Sequence, residues 1–150
     1  MTPQRIVIDT NVCLDLFVFR DPRWASLLTA LQERKVDAVT RDDCRKEWRI
    51  VLGYAHLPLD ADSKVRSEVE FDSLITCLPA VAATDNDVRL PLCKDRDDQK
   101  FLELARDSGA AVLITKDKAL LKLARKTARV GLFRIMLPET WILTELSSIG

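Results

Sequence analysis

The chain has 150 residues, 47% of them hydrophobic and 31% charged, with 23 Lys and Arg balancing 23 Asp and Glu. That length suits a single domain over residues 1–150, and the apolar fraction excludes a disordered or fibrous chain. Zero net charge excludes a protein that coats nucleic acid by bulk positive charge, but not one with a local basic patch.

Four short apolar or β-branched runs punctuate the chain. Arg5–Ile8 ends at Asp9, Val36–Val39 ends at Thr40, Ala111–Ile114 ends at Thr115, and Phe133–Leu137 ends at Pro138. The first and third are almost continuously apolar, as in strands covered on both faces. Helical spacing of apolar residues predicts helices over Pro22–Arg34, Asp43–Ala55, Asp62–Leu78, Asp98–Asp107 and Lys118–Lys126. Gly109 and Gly131 stand where two of these helices should stop. The stretch Pro79–Cys93 reads as a long loop with a short strand around Ala80 to Ala82. Strands separated by helices require parallel pairing, so the expected fold is an α/β, three-layer α/β/α sandwich with a central parallel sheet.

The four cysteines are too far apart for a C-x-x-C pair, and His56 is the one histidine, which argues against a structural zinc site. The thiols read as small buried hydrophobes in a reducing, cytoplasmic compartment. No signal peptide or membrane-spanning run is expected.

In an open parallel sheet, sites form beyond the carboxyl ends of the strands. Asp9 follows the first strand, and Asp117 lies two residues past the third, where a helix starts. Glu47 precedes Ile50, Val51 and Tyr54 by three, four and seven residues, which predicts an inward-facing carboxylate. Asp42 and Asp43 come before that inward turn begins. Asp98 precedes Phe101, Leu102 and Ala105 at the same spacing. Each acid has an ordinary alternative: Asp9, Asp98 and Asp117 suit helix caps, and Glu47 could pair with Arg45 or Arg49 at the surface. Four converging carboxylates would repel one another unless a bound cation offsets them.

Together these segments resemble the PIN-domain ribonucleases. The resemblance rests on Ile6-Val7-Ile8-Asp9-Thr10-Asn11-Val12, on Glu47, on Asp95-Arg96-Asp97-Asp98-Gln99-Lys100-Phe101-Leu102-Glu103-Leu104-Ala105, and on Val112-Leu113-Ile114-Thr115-Lys116-Asp117-Lys118-Ala119-Leu120. It implies a metal site formed by Asp9, Glu47, Asp98 and Asp117, supported by Thr10, Asn11 and Thr115. Asp95 and Asp97 either contribute a carboxylate through water or shape the loop. Oxygen ligands without a His/Cys cluster suit one or two Mg²⁺ or Mn²⁺ ions. The implied reaction is hydrolysis of RNA phosphodiesters by a metal-activated water, leaving 5′-phosphate and 3′-hydroxyl ends.

The long form of the third motif, Asp95-x-Asp97-Asp98 before Phe101-Leu102-Glu103-Leu104-Ala105, resembles the subgroup of the family described as toxin components of bacterial toxin–antitoxin pairs, so a small antitoxin partner and a homodimer are further implications. An RNA-processing nuclease without an antitoxin, and a binding module with little turnover, are the alternatives. Residues 99–134 hold nine Lys and Arg against three acids, so the neutral total hides a basic segment. Arg41, Lys94, Arg96 and Lys116 flank the acidic motifs and are the expected phosphate contacts.

Overall fold

The computed structural model describes residues 3–79 and 89–149. The short strand expected around Ala80 to Ala82 lies outside the described residues.

Among the described residues five strands form one parallel sheet: β1 (Gln4–Ile8), β2 (Val36–Thr40), β3 (Thr76–Cys77), β4 (Val112–Ile114) and β5 (Arg134–Met136), in the order β3-β2-β1-β4-β5. The register pairs Ile6 with Ala38 on one side and with Val112 on the other. Adjacent residues of β1 serve opposite faces. Ile6 and Ile8 join the core with α1 (Thr10–Phe17), α2 (Ala25–Gln32) and α4 (Ala61–Leu74), and also α8 (Pro138–Thr144). Val7 joins the core with α5 (Gln99–Ser108) and α6 (Lys118–Leu121). This two-sided cover explains the unbroken apolar runs and completes the α/β/α sandwich. α3 (Asp42–Leu52) straddles the layers: Cys44 joins one core, and Trp48 and Leu52 the other.

Two helices differ most from expectation. The helix expected over Asp62–Leu78 ends at Leu74, and the following Ile75-Thr76-Cys77 turns extended. Thr76 and Cys77 pair with Val39 and Thr40, and the Leu78 amide bonds the Thr40 carbonyl at 2.9 Å. A β-branched run beside an open sheet edge gains ladder hydrogen bonds that another helical turn would forgo. The helix expected over Lys118–Lys126 is split into α6 and α7 (Ala124–Arg129). The break lets Leu120 of α6 and Leu123 of the intervening turn join one core with Leu113 and Phe133. Gly109 closes α5 at φ 70°, a conformation that a Cβ disfavours.

β1 is followed on one side by β2 and β3 and on the other by β4 and β5. The chain therefore reverses its winding beside β1, and the carboxyl ends of β1 and β4 open a crevice there.

Candidate active site

Asp9 lies one residue past β1 and extends the ladder by a step, its amide bonding the Ile114 carbonyl at 3.0 Å. Its carbonyl accepts the amides of Val12 and Cys13, but its side chain makes no cap to α1. The carboxylate is instead buried, 3% exposed, and accepts the Thr115 hydroxyl at 2.7 Å. Burial pushes its pKa up to about 6, opposed by the bonds from Thr115 and the Thr10 amide and reinforced by the charges of Glu47 and Asp117.

Thr115 is fully buried one residue past β4. Its oxygen also accepts the Asp117 amide at 3.0 Å, so one hydroxyl links the ends of two strands. Asp117 does cap α6, with Oδ1 accepting the Ala119 amide at 2.7 Å. The cap and a role in the acidic cluster are compatible, because a carboxylate has a second oxygen.

Asp98 ends a short 3₁₀ turn (Arg96–Asp98) that leads into α5. It is buried, and among the described residues its Oδ2 receives no hydrogen bond. Burial, a proton shared with Asp117, and the nearby charges of Asp9, Asp117 and Asp95 push its pKa up to about 8. The same shared proton holds Asp117 below its ordinary value. Asp95 caps the 3₁₀ turn by accepting the Asp97 amide at 3.1 Å. Ligand oxygens of Asp95, Asp98 and Asp117 all lie within 4.8 Å of one another.

Glu47 stands apart from that trio. The buried stripe of α3 is Cys44, Trp48 and Leu52, whereas Ile50 is 54% and Tyr54 48% exposed. The inward face predicted from Ile50 and Tyr54 is therefore corrected: Glu47 sits half-buried at the border of the stripe. Trp48 stacks on Phe71 with ring centroids 5.0 Å apart and meets Phe17 edge-on, which sets the rotation of α3. Glu47 is turned toward the Thr10 hydroxyl, which donates to its Oε2, and toward Lys100, whose Nζ lies 2.9 Å from Oε1.

The remaining expected residues divide by environment. Asn11, Lys94, Arg96 and Asp97 are exposed. Arg41 is engaged by Asp43 and Glu103 at 2.8 and 3.0 Å. Lys116 lies 2.6 Å from Asp15 Oδ2, which also accepts the Trp24 indole N–H at 3.0 Å. Lys100 and Asp15 lie outside the residues to which the sequence spacing points. A lysine two residues after Asp98 was the available signal for the first, and Asp15 gave none.

The donor set is hard oxygen, and one buried carboxylate oxygen receives no hydrogen bond. Both features fit a hard divalent cation such as Mg²⁺ or Mn²⁺, held by Asp95, Asp98 and Asp117. The PIN domain profile matches residues 5–119, which spans β1 to β4 and the acids just described. The chain belongs to the PIN-domain family. It is also 28% identical, over 120 residues, to an uncharacterised protein of Methanocaldococcus jannaschii, covering 79% of this chain and 74% of that protein. PIN domains are generally nucleases, and the acidic cluster of this PIN domain suits phosphodiester hydrolysis. Among the described residues no helix is long and apolar enough to cross a membrane.

Proposed function

We propose that this PIN domain is a Mg²⁺- or Mn²⁺-dependent endoribonuclease and the toxin of a type II toxin–antitoxin pair, acting in the cytoplasm as a homodimer of single-domain chains. The observation that carries the nuclease reading is the meeting of Asp95, Asp98 and Asp117 at the crevice beside β1, where the Asp98 Oδ2 lacks a donor among the described residues and Asp9 lies close enough to feel the charge of Asp117. The toxin reading rests on the resemblance of the third motif, from Asp95 to Ala105, to that part of the family.

Asp98, Asp117 and Asp95 would hold the ion, with Asp9 adding negative charge beside it and Glu47 held by Thr10 and Lys100. When bound, the ion supplies Lewis acidity to the attacking water and the leaving oxygen. Thr115 keeps Asp9 and Asp117 in one geometry through its two hydrogen bonds. A water oxygen adds to phosphorus, the P–O3′ bond breaks, and the 3′ oxygen leaves as a hydroxyl with the phosphate retained on the 5′ side. Lys94 and Arg96, both exposed and close in sequence to the acids, would meet neighbouring phosphates.

Purified protein should cleave single-stranded RNA with Mn²⁺ or Mg²⁺ and stop in EDTA. Asp98→Asn should lower the rate by at least about 100-fold while the protein stays folded. Unchanged cleavage in that variant would sink the assigned site. A small DNA-binding protein encoded beside it, forming a complex that blocks cleavage, would support the toxin reading; its absence would favour RNA processing.

A further inference from the structure

Glu47 lies outside the point that Asp95, Asp98 and Asp117 share, and both of its oxygens are occupied. Oε2 accepts the Thr10 hydroxyl and Oε1 accepts Lys100 Nζ at 2.9 Å. Lys100 stands in the first turn of α5, two residues after Asp98. Its ammonium also donates to the Asp97 carbonyl at 2.5 Å and lies 5.4 Å from the Phe101 ring centroid. The side chain keeps 19% of its surface exposed, and the charge of Asp98 acts on its ammonium.

An ammonium has three donors, and two are committed here to protein oxygens. The third is available to an incoming anion, and lysine is a compact point charge well suited to a phosphate oxygen. Lys100 already supplies, at Glu47, the kind of positive charge that a second divalent ion would otherwise bring to the site.

We propose that Lys100 takes the place of a second divalent ion: its ammonium balances Glu47 and contacts the substrate phosphate, leaving one ion at Asp95, Asp98 and Asp117. This inference rests on the nuclease reading above. It makes the charge of the site part metal and part protein, with Lys100 a substrate-contacting residue.

The test is the number of Mn²⁺ ions bound per full-length chain, counted by electron paramagnetic resonance of the free ion. One ion is expected for the wild type and for Lys100→Arg. Two are expected for Lys100→Met, whose Glu47 is released, and one again for Lys100→Met with Glu47→Gln. At a Mn²⁺ concentration that fills the first site, Lys100→Met should cleave RNA about tenfold more slowly or worse, and added Mn²⁺ should restore part of the rate. Two ions of similar affinity in the wild type would overturn the proposal, and that count needs no variant to fold. A single ion and wild-type cleavage in folded Lys100→Met would overturn it equally. Wild-type protein that binds no Mn²⁺ and cleaves no RNA would instead fail the nuclease reading, and Lys100's role with it.

Discussion

Thr115 and Asp9 stand 106 residues apart in the chain and are joined by a 2.7 Å hydrogen bond, the hydroxyl donating to the carboxylate. That bond lowers the pKa of Asp9, which burial nonetheless leaves raised at about 6. Thr115→Val removes the donor, so Asp9 should ionise at higher pH and Mn²⁺ affinity should fall most below about pH 7. Titrating Mn²⁺ affinity against pH checks this: the valine curve should move to higher pH, and Thr115→Ser should restore it. Superimposable curves would refute the link.

Asp98 should make the metal-free protein less stable as pH rises. Its folded pKa of about 8 lies above the ordinary 3.8, so the folded state keeps a proton that the unfolded chain loses across that interval. Stability from this group is therefore whole below about pH 4 and declines up to about pH 8. Asp9, raised to about 6, adds to the lower part of the same window. Asp98→Asn should be more stable than wild type at pH 7.5 in EDTA, by on the order of 1–2 kcal/mol, with the difference vanishing near pH 4. Urea unfolding at the two pH values measures it, and saturating Mn²⁺ should reverse the order of stability.

Lys116 and Asp15 form a partly buried pair at 2.6 Å that ties the β4–α6 turn to α1. Among the described residues, Lys116→Met leaves Asp15 with the Trp24 indole as its side-chain donor. The loss should destabilise the fold by about 1–3 kcal/mol. Because this ammonium already has a protein partner, RNA affinity should change less in Lys116→Met than in Arg96→Met. Chemical denaturation and RNA binding by anisotropy separate the two effects. A large affinity loss at unchanged stability would make Lys116 a phosphate contact.

Trp48 is buried against Phe17 and Phe71, yet its indole N–H has no partner among the described residues. Trp48→Phe keeps an aromatic ring and removes the unpaired donor, so it should cost under about 1.5 kcal/mol. Trp48→Ala should cost about 3–5 kcal/mol. It should also weaken cleavage, because α3 would lose the contact that turns Glu47 toward Thr10 and Lys100. Thermal melts and cleavage rates of the two variants test both statements.

The apolar runs of β1 and β4 announce a sheet covered on both faces, because a strand exposed on one side would alternate. Their ends then locate Asp9 and Asp117 at the carboxyl edge without knowledge of any contact. Those features are local, and spacing along the chain is enough to read them. The edge strand at Thr76 and Cys77 is different: it exists because β2 offers an unpaired edge, and helical spacing upstream masks it. The face of Glu47 is likewise decided by the stacking of Trp48 on Phe71, against the pattern of Ile50 and Tyr54. The partners of Arg41, Lys116 and Lys100 follow from which carboxylates the fold brings within reach. Charge is legible in a sequence, but whether a cation meets Glu103, Asp15, Glu47 or solvent depends on elements tens of residues away, and only their packing decides it.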